Sequence, residues 1–165
     1  MNVKFLNPFL IAASEVLEKE TGALVARGNL TLERGSIVTD EVAALINLIG
    51  QVQGTVIYSM SYATARNLVT QMMGQECVTF DEMAQSGIAE LGNVITGVAS
   101  TKLGAAGFQS NISVPMLIIG QGAQLSTLDI ERLVVPLSTQ FGDIRVDLAL
   151  REDNKSFTSI PSISG

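Results

Sequence analysis

The sequence lacks histidine and is poor in cysteine, with none of the first and one of the second among its 165 residues. Without histidine it cannot form a Ser-His-Asp triad, a Cys-His dyad, a histidine general base or most zinc sites. One cysteine excludes an internal disulfide framework and a CxxC redox or metal motif. Any catalysis must therefore use carboxylates, amides, hydroxyls or groups that a partner supplies.

Positive charge and long apolar runs are also scarce. Ten Lys and Arg residues stand against 16 Asp and Glu, a net charge of −6, and no basic cluster occurs. Nucleic-acid binding relies on basic surfaces that release phosphate counterions, so we expect no nucleic-acid partner. A membrane helix needs about 20 apolar residues, and the best candidate, residues 9–16, is far shorter and has no signal-peptide flanks. We expect a soluble, cytoplasmic protein with no membrane segment.

Hydrophobic residues are plentiful, at 47% of the chain, so a sizeable core can form. The length fits about one domain, and we expect residues 1–153 to form it. Residues 154–165 are rich in serine and contain proline, and we expect them to form a loosely ordered tail.

The hydrophobic pattern predicts helices at 3–20, 62–73 and 81–103, and strands at 24–32, 42–49, 52–60, 112–119, 130–137 and 144–150. Strands that follow one another through short turns favour an antiparallel arrangement. The prediction is a two-layer α+β fold, with a mostly antiparallel sheet and about three helices on one face. Residues 54–61 loosely echo residues 131–138, which hints at a duplicated helix-plus-strands unit.

The third predicted helix carries an unusual polar face. Four of its residues fall within an arc of about 60°, namely Ser86, Glu90, Asn93 and Gly97. Apolar residues occupy the opposite side, namely Ile88, Leu91, Ile95 and Val98. Asparagine and glycine are poor helix formers, so packing alone does not explain them. Small residues around a projecting amide and carboxylate suit a helix that another protein approaches closely, although these features alone fit an ordinary surface equally well.

The segment Ser86-Gly-Ile-Ala-Glu90-Leu-Gly-Asn93, followed by Gly97 and Pro115, resembles the motif of the CheC/CheX/FliY family of phosphatases. That motif is Ser or Asp, three residues, Glu, two residues, Asn, then a downstream proline. Residues 54–74 resemble the family's strand-helix lead-in and residues 2–9 resemble CheX N-termini, so the likeness covers roughly residues 2–151. The first helix has no Glu-x-x-Asn, and one motif per chain resembles the CheX-like members.

The resemblance implies a CheC-like duplicated fold and a phosphatase that removes the phosphoryl group from phospho-CheY in chemotaxis. It assigns Asn93 to orienting the attacking water and Glu90 to contacting a lysine of the regulator. The resemblance puts Ser86 at the first position of the motif and at the partner contact, where Gly92 and Gly97 would permit close approach, although a solvated hydroxyl and ordinary helix packing explain these residues equally well. It further implies a homodimer, no cofactor of the chain's own, and Mg²⁺ in the partner response regulator.

Two alternatives stay open at this point. The chain could perform the same chemistry on a response regulator outside chemotaxis. It could also be a noncatalytic module that binds a regulator or a flagellar component. The presence of both Glu90 and Asn93 favours catalysis, because a binding module has no need of that pair.

Overall fold

The computed structural model describes residues 3–126 and 130–153, so the predicted tail at 154–165 lies outside the described residues. The helices, after a 3₁₀ turn at Val3–Phe5, are α1 (Leu6–Thr21), α2 (Tyr62–Met73) and α3 (Glu82–Ala105). The strands are β1 (Ala26–Arg27), β2 (Thr31–Glu33), β3 (Ser36–Val38), β4 (Val42–Gly50), β5 (Val52–Met60), β6 (Ser110–Ile112), β7 (Met116–Ile119), β8 (Gln124–Ser126), β9 (Arg132–Thr139) and β10 (Gly142–Glu152).

Capping residues mark four of the helix ends. The side chains of Ser61 and Asp81 each accept a hydrogen bond from the backbone N–H three residues later, at the start of α2 and α3. Helices α1 and α2 end at Gly22 and Gly74, whose φ angles of 74° and 70° are left-handed. Glycine takes this conformation without the steric cost of a β-carbon, so both helices stop where predicted.

The main sheet is antiparallel and is covered by the helices on one face. Its strand order is β1-β9-β10-β5-β4-β6, with β2 also paired to β9 and β7 to β4. Alternate residues of β4 and β5, such as Ala44, Ile46 and Tyr58, are buried in one core with the helices. A two-stranded ribbon of β3 and β8 packs on the other face, where Ile37 contacts the buried Ala43. The predicted α+β class, with its helices on one face of an antiparallel sheet, is confirmed.

The predicted duplication is present in the topology. The β4–β5 and β9–β10 hairpins meet at the centre, where β5 pairs with β10. Strands β1 and β2 extend the β9–β10 hairpin, while β6 and β7 extend the β4–β5 hairpin. The two halves are β1–β5 and β6–β10, and the first two strands of each half pair with the hairpin of the other half. The similarity between residues 54–61 and 131–138 does not reflect this duplication. It aligns β5 with β9, whereas the strand equivalent to β5 in the second half is β10.

The peripheral strands differ from the prediction. The predicted strand at 24–32 is interrupted at Gly28, whose N–H donates to the Pro136 carbonyl at 2.7 Å, and a β-carbon there would lie 2.6 Å from the Pro136 ring. The predicted strand at 112–119 breaks around Pro115, which has no N–H for the ladder. Strands β3 and β8 were missed, because three residues are too few to show a period.

In the two described segments, no helix combines the length and the apolar character that crossing a membrane would require.

Candidate functional site

Helix α3 is fixed on the sheet by its predicted apolar stripe. Ile88, Leu91 and Ile95 are 1%, 3% and 4% exposed and belong to the main core. Val98, the fourth predicted member, is half-buried and packs against that core. The helix also contacts α1, α2, β4, β6 and β7. A long helix held along most of its length offers its outer side as a rigid platform.

The outer side of α3 carries the predicted catalytic pair. Glu90 is exposed and Asn93 is half-buried, and their separation of three positions in the sequence places both side chains on the same side of the helix. Within residues 3–126 and 130–153, neither side chain forms a hydrogen bond or an ion pair. Ser86 is exposed one turn earlier, and Gly97 is half-buried one turn later. The structure therefore brings Ser86, Glu90, Asn93 and Gly97 together along one side of α3.

Gly92 faces the sheet, which favours helix packing over the partner contact, the two roles predicted for it. It is buried, and a β-carbon there would lie 3.3 Å from both Ala44 Cβ and Ile46 Cδ1, and 3.4 Å from Tyr58 Cδ2. The first two separations are tighter than ordinary van der Waals contacts, and the third is at their lower limit. Gly92 therefore serves the close approach of α3 to β4 and β5.

Gly97 has a different environment. The nearest atom to a β-carbon there is Ile112 Cδ1 at 3.8 Å, an ordinary contact. An alanine would fit this chain at Gly97 and would also favour the helix. The internal packing of the described residues therefore gives no reason for glycine at this position.

A chain of buried hydroxyl groups lies under the turn that carries Asn93. The Thr96 hydroxyl donates to the Gly92 carbonyl at 2.7 Å, and the Tyr58 hydroxyl lies 2.9 Å from the Thr96 oxygen. Thr96 is fully buried, and burial raises the pKa of Tyr58 well above its ordinary value. Neither residue is among the site residues predicted from the sequence. The available signal was a tyrosine and a threonine within otherwise apolar stretches.

The rest of the surroundings hold α3 in place. Lys102 lies 3.4 Å from Glu15 of α1, and the Ser100 hydroxyl lies 2.9 Å from that of Ser110 in β6. Pro115 lies between β6 and β7, the strands beside the helix. In the part of the chain that the structure describes, no group of three or more Cys, Asp and Glu residues is placed to hold a metal ion. The absence of a cofactor stays a prediction.

Comparison with known proteins agrees with the fold. Residues 42–138 match the family model described as "Chemotaxis phosphatase CheX". The CheY-P phosphatase CheX of Thermotoga maritima is 28% identical over 151 residues, covering 91% of this chain and 96% of that protein.

Solved structures give the same result. In the CheX–CheY–BeF₃–Mg²⁺ complex from Borrelia burgdorferi, the matching chain is 30% identical, with a TM-score of 0.79, covering 92% of this chain and 100% of that one. A CheC-like superfamily protein from Shewanella sp. PV-4 shares the fold at a TM-score of 0.83 and 24% identity, covering 92% of this chain and 99% of its own. Because the family model matches more than half of the residues, the chain belongs to the CheX family of chemotaxis phosphatases.

Proposed function

We propose that this chain is an aspartyl-phosphate phosphatase that dephosphorylates phospho-CheY and so terminates a chemotaxis signal. The observation that carries the proposal is the placement of Glu90 and Asn93 on the outer side of a firmly packed helix in a CheX-family chain. Two relatives add support. The Thermotoga maritima relative is named a CheY-P phosphatase, and the Borrelia burgdorferi relative forms a complex with CheY.

Asn93 is assigned to holding the attacking water. Phosphoryl transfer requires mainly positioning and charge stabilisation, and little covalent chemistry from the protein. A side-chain amide suits water because its carbonyl accepts a hydrogen bond and its NH₂ group donates. The Asn93 amide is free of hydrogen bonds to the described residues, so it is available when α3 enters the regulator's site.

The chemical step takes place entirely on the regulator's phospho-aspartate. The water oxygen forms a bond to phosphorus while the bond between phosphorus and the aspartate oxygen breaks. The electron pair of that bond stays with the aspartate carboxylate, and the protons of the water leave with inorganic phosphate. Asn93 holds the water in line with the breaking bond, which lowers the entropic cost of the reaction.

Glu90 is assigned to setting the position of α3 on the regulator. Its carboxylate projects from the side of α3 that carries Asn93 and is not paired with any cation of the described residues. A response regulator carries a lysine beside its phospho-aspartate, and a carboxylate–ammonium contact there sets the position of the helix. Ser86 and Gly97 flank the pair and complete the proposed contact surface.

The remaining parts of the proposal follow the family resemblance. The Mg²⁺ belongs to the regulator, and this chain contributes no cofactor. The protein works in the cytoplasm, where it meets its regulator, and it forms a homodimer. Analytical ultracentrifugation of the purified chain measures the last of these directly.

The proposed function is tested by timing the loss of phosphate from CheY. CheY charged with acetyl phosphate and Mg²⁺ is mixed with the wild-type chain, and the phospho-aspartate is followed after the excess phosphodonor is removed. We expect its lifetime to shorten at substoichiometric amounts of this chain. Unchanged decay would reject CheY as the substrate and direct the same assay to other regulators. Binding without faster decay would support the noncatalytic module.

Glu90→Gln keeps the size of the side chain and removes its charge. Hydrogen bonds to charged groups contribute about 1.5–3 kcal/mol, so we expect affinity for the regulator to fall about tenfold or more. Titration of CheY loaded with beryllium fluoride and Mg²⁺ measures the loss. Glu20→Gln, at an exposed position of α1, is the matched control and should bind like wild type. Equal affinities for the two variants would remove Glu90 from the interface.

Gly97→Ala is expected to affect stability and binding in opposite directions. The helix gains up to about 1 kcal/mol from the better propensity of alanine. The added methyl group obstructs the partner, and we expect about a tenfold loss of affinity for the same beryllium fluoride complex. Urea unfolding measures the stability gain.

The matched control is Gly87→Ala in the same helix. A β-carbon at Gly87 meets Val69 of α2 at 3.6 Å, an ordinary internal contact. This variant should gain similar stability and keep its affinity. Undiminished binding by Gly97→Ala would show that the partner does not approach this turn.

A further inference from the structure

The turn of α3 from Gly92 to Thr96 contacts the sheet through a buried polar chain as well as through apolar packing. Thr96 is 0% exposed and Tyr58 is 3% exposed. A carbonyl oxygen only accepts, so the single hydrogen of the Thr96 hydroxyl is donated to the Gly92 carbonyl. The Tyr58 hydroxyl must therefore donate to the Thr96 oxygen, across 2.9 Å. Strand β5 is thereby linked to the backbone of α3 at Gly92, the residue before Asn93.

Apolar residues would be the simpler choice at both positions. Threonine is a weaker helix former than alanine or leucine, and a buried tyrosine hydroxyl is costly without a partner. Burial raises the pKa of Tyr58, so its hydroxyl keeps the proton and stays a donor throughout the working pH range. A polar chain whose members are all satisfied favours one arrangement of the groups around it. Here those groups are the central strand and one turn of the helix.

The same turn is fixed from a second direction by Gly92. The absence of a β-carbon lets α3 approach Ala44, Ile46 and Tyr58 more closely than an alanine would allow. Tyr58 takes part in both contacts, through its ring edge at Gly92 and its hydroxyl at Thr96. The height of the turn above the sheet is therefore set by β4 and β5 together, and its rotation about the helix axis by the link to β5.

Rotation of this turn about the helix axis matters because the acting group of Asn93, its amide, is at the end of the side chain. An atom about 6 Å from a helix axis moves by about 1 Å when the helix turns by about 10°. A displacement of about 1 Å in a positioning group can cost roughly 100-fold in rate. We infer that Tyr58 and Thr96 are positioning residues, which hold the Gly92–Thr96 turn so that the Asn93 amide meets the attacking water. This inference rests on the proposed function.

The test separates turnover from affinity. Tyr58→Phe removes one oxygen atom, and we expect kcat for phospho-CheY to fall about tenfold while KM stays within about twofold. Thr96→Val, which keeps the shape and removes the hydroxyl, should lose kcat in the same way. Thr96→Ser keeps the hydroxyl and should recover most of it. Tyr62→Phe, at a half-buried tyrosine whose ring contacts Phe80, is the matched control and should turn over like wild type.

If Tyr58 affected kcat only by stabilising the fold, a destabilising substitution elsewhere in the core would lower kcat equally. Val135→Ala, in the β9 part of the core, lowers stability without touching the hydroxyl chain. All variants are assayed at a temperature where each is fully folded, as shown by circular dichroism. Wild-type kcat in Tyr58→Phe, or equal losses in Tyr58→Phe and Val135→Ala, would overturn the inference.

A second readout does not depend on activity. The side-chain amide of Asn93 gives a pair of signals in a ¹H–¹⁵N NMR spectrum. We expect these signals to shift or broaden in Tyr58→Phe and to stay in place in Tyr62→Phe. A wild type that leaves phospho-CheY intact would reject the proposed function, and this spectrum would then decide the positioning role. Unchanged Asn93 signals in Tyr58→Phe would overturn it.

Discussion

Replacing Asn93 with alanine is expected to return the lifetime of phospho-CheY to that of the regulator alone. The rest of α3 still docks, but no amide holds the water in line with the phosphorus. Since positioning groups in near-attack geometry account for several kcal/mol of a barrier, the loss should be about 100-fold or more. Quenched-flow measurement of the remaining phospho-aspartate gives the rate. Affinity for CheY loaded with beryllium fluoride and Mg²⁺ should stay within about threefold, because most of the contact surface is intact.

Two further variants sharpen this experiment. Asn93→Gln keeps the amide but moves it outward by the length of one methylene group. That displacement is too large for the amide to hold the water in line, so little of the rate should return. Asn7→Ala removes an exposed asparagine of α1 and should behave like wild type. Full activity in Asn93→Ala would show that water is positioned by another group. A parallel loss of binding would mean that Asn93 serves docking instead.

Replacing Asp147 with alanine is expected to lower the free energy of unfolding more than any other substitution proposed above. Its carboxylate is 1% exposed and accepts from Arg132 at 3.1 Å and from Arg145 at 2.8 Å. Arg132 is itself 3% exposed, and it also donates to the carbonyl of Gly35. Breaking a buried pair leaves an uncompensated charge and costs about 3–5 kcal/mol. That is a large share of the roughly 5–15 kcal/mol that stabilises a domain.

Urea unfolding followed by circular dichroism measures this loss. The matched control is Asp143→Ala, which removes an exposed aspartate from the same strand and should cost less than about 1 kcal/mol. Asp147 lies on the sheet face opposite α3, so the variant should keep wild-type turnover at temperatures where it is folded. Equal stability of the two variants would show that Glu33, which also contacts both arginines, is enough to compensate them.

The sequence determined the parts of this protein that depend on neighbouring residues. Capping side chains and apolar residues at helical spacing are local signals, so the three helices were predicted with nearly correct ends. The long strands β4, β5, β9 and β10 were predicted for the same reason, because each contains a local run rich in apolar residues. The side of α3 that carries Glu90 and Asn93 also follows from sequence alone, because helical geometry fixes which residues share a side. The catalytic roles of this pair stay a proposal.

Only the tertiary structure decided what depends on residues that lie far apart in the chain. The exchange of β1 and β2 for β6 and β7 between the two halves is a matter of long-range pairing, which the short strands do not encode locally. Asp147 and Arg132 are 15 residues apart, and only the register of β9 and β10 brings them together.

The sheet also decided between the two roles that the sequence left open for Gly92, the partner contact and helix packing. Its neighbours Ala44 and Tyr58 come from two other strands, and no spacing within α3 reveals them. The same holds for the hydroxyl chain, since Tyr58 precedes Thr96 by 38 residues. Local sequence therefore sets which side chains the helix presents, and packing against distant strands sets where it holds them.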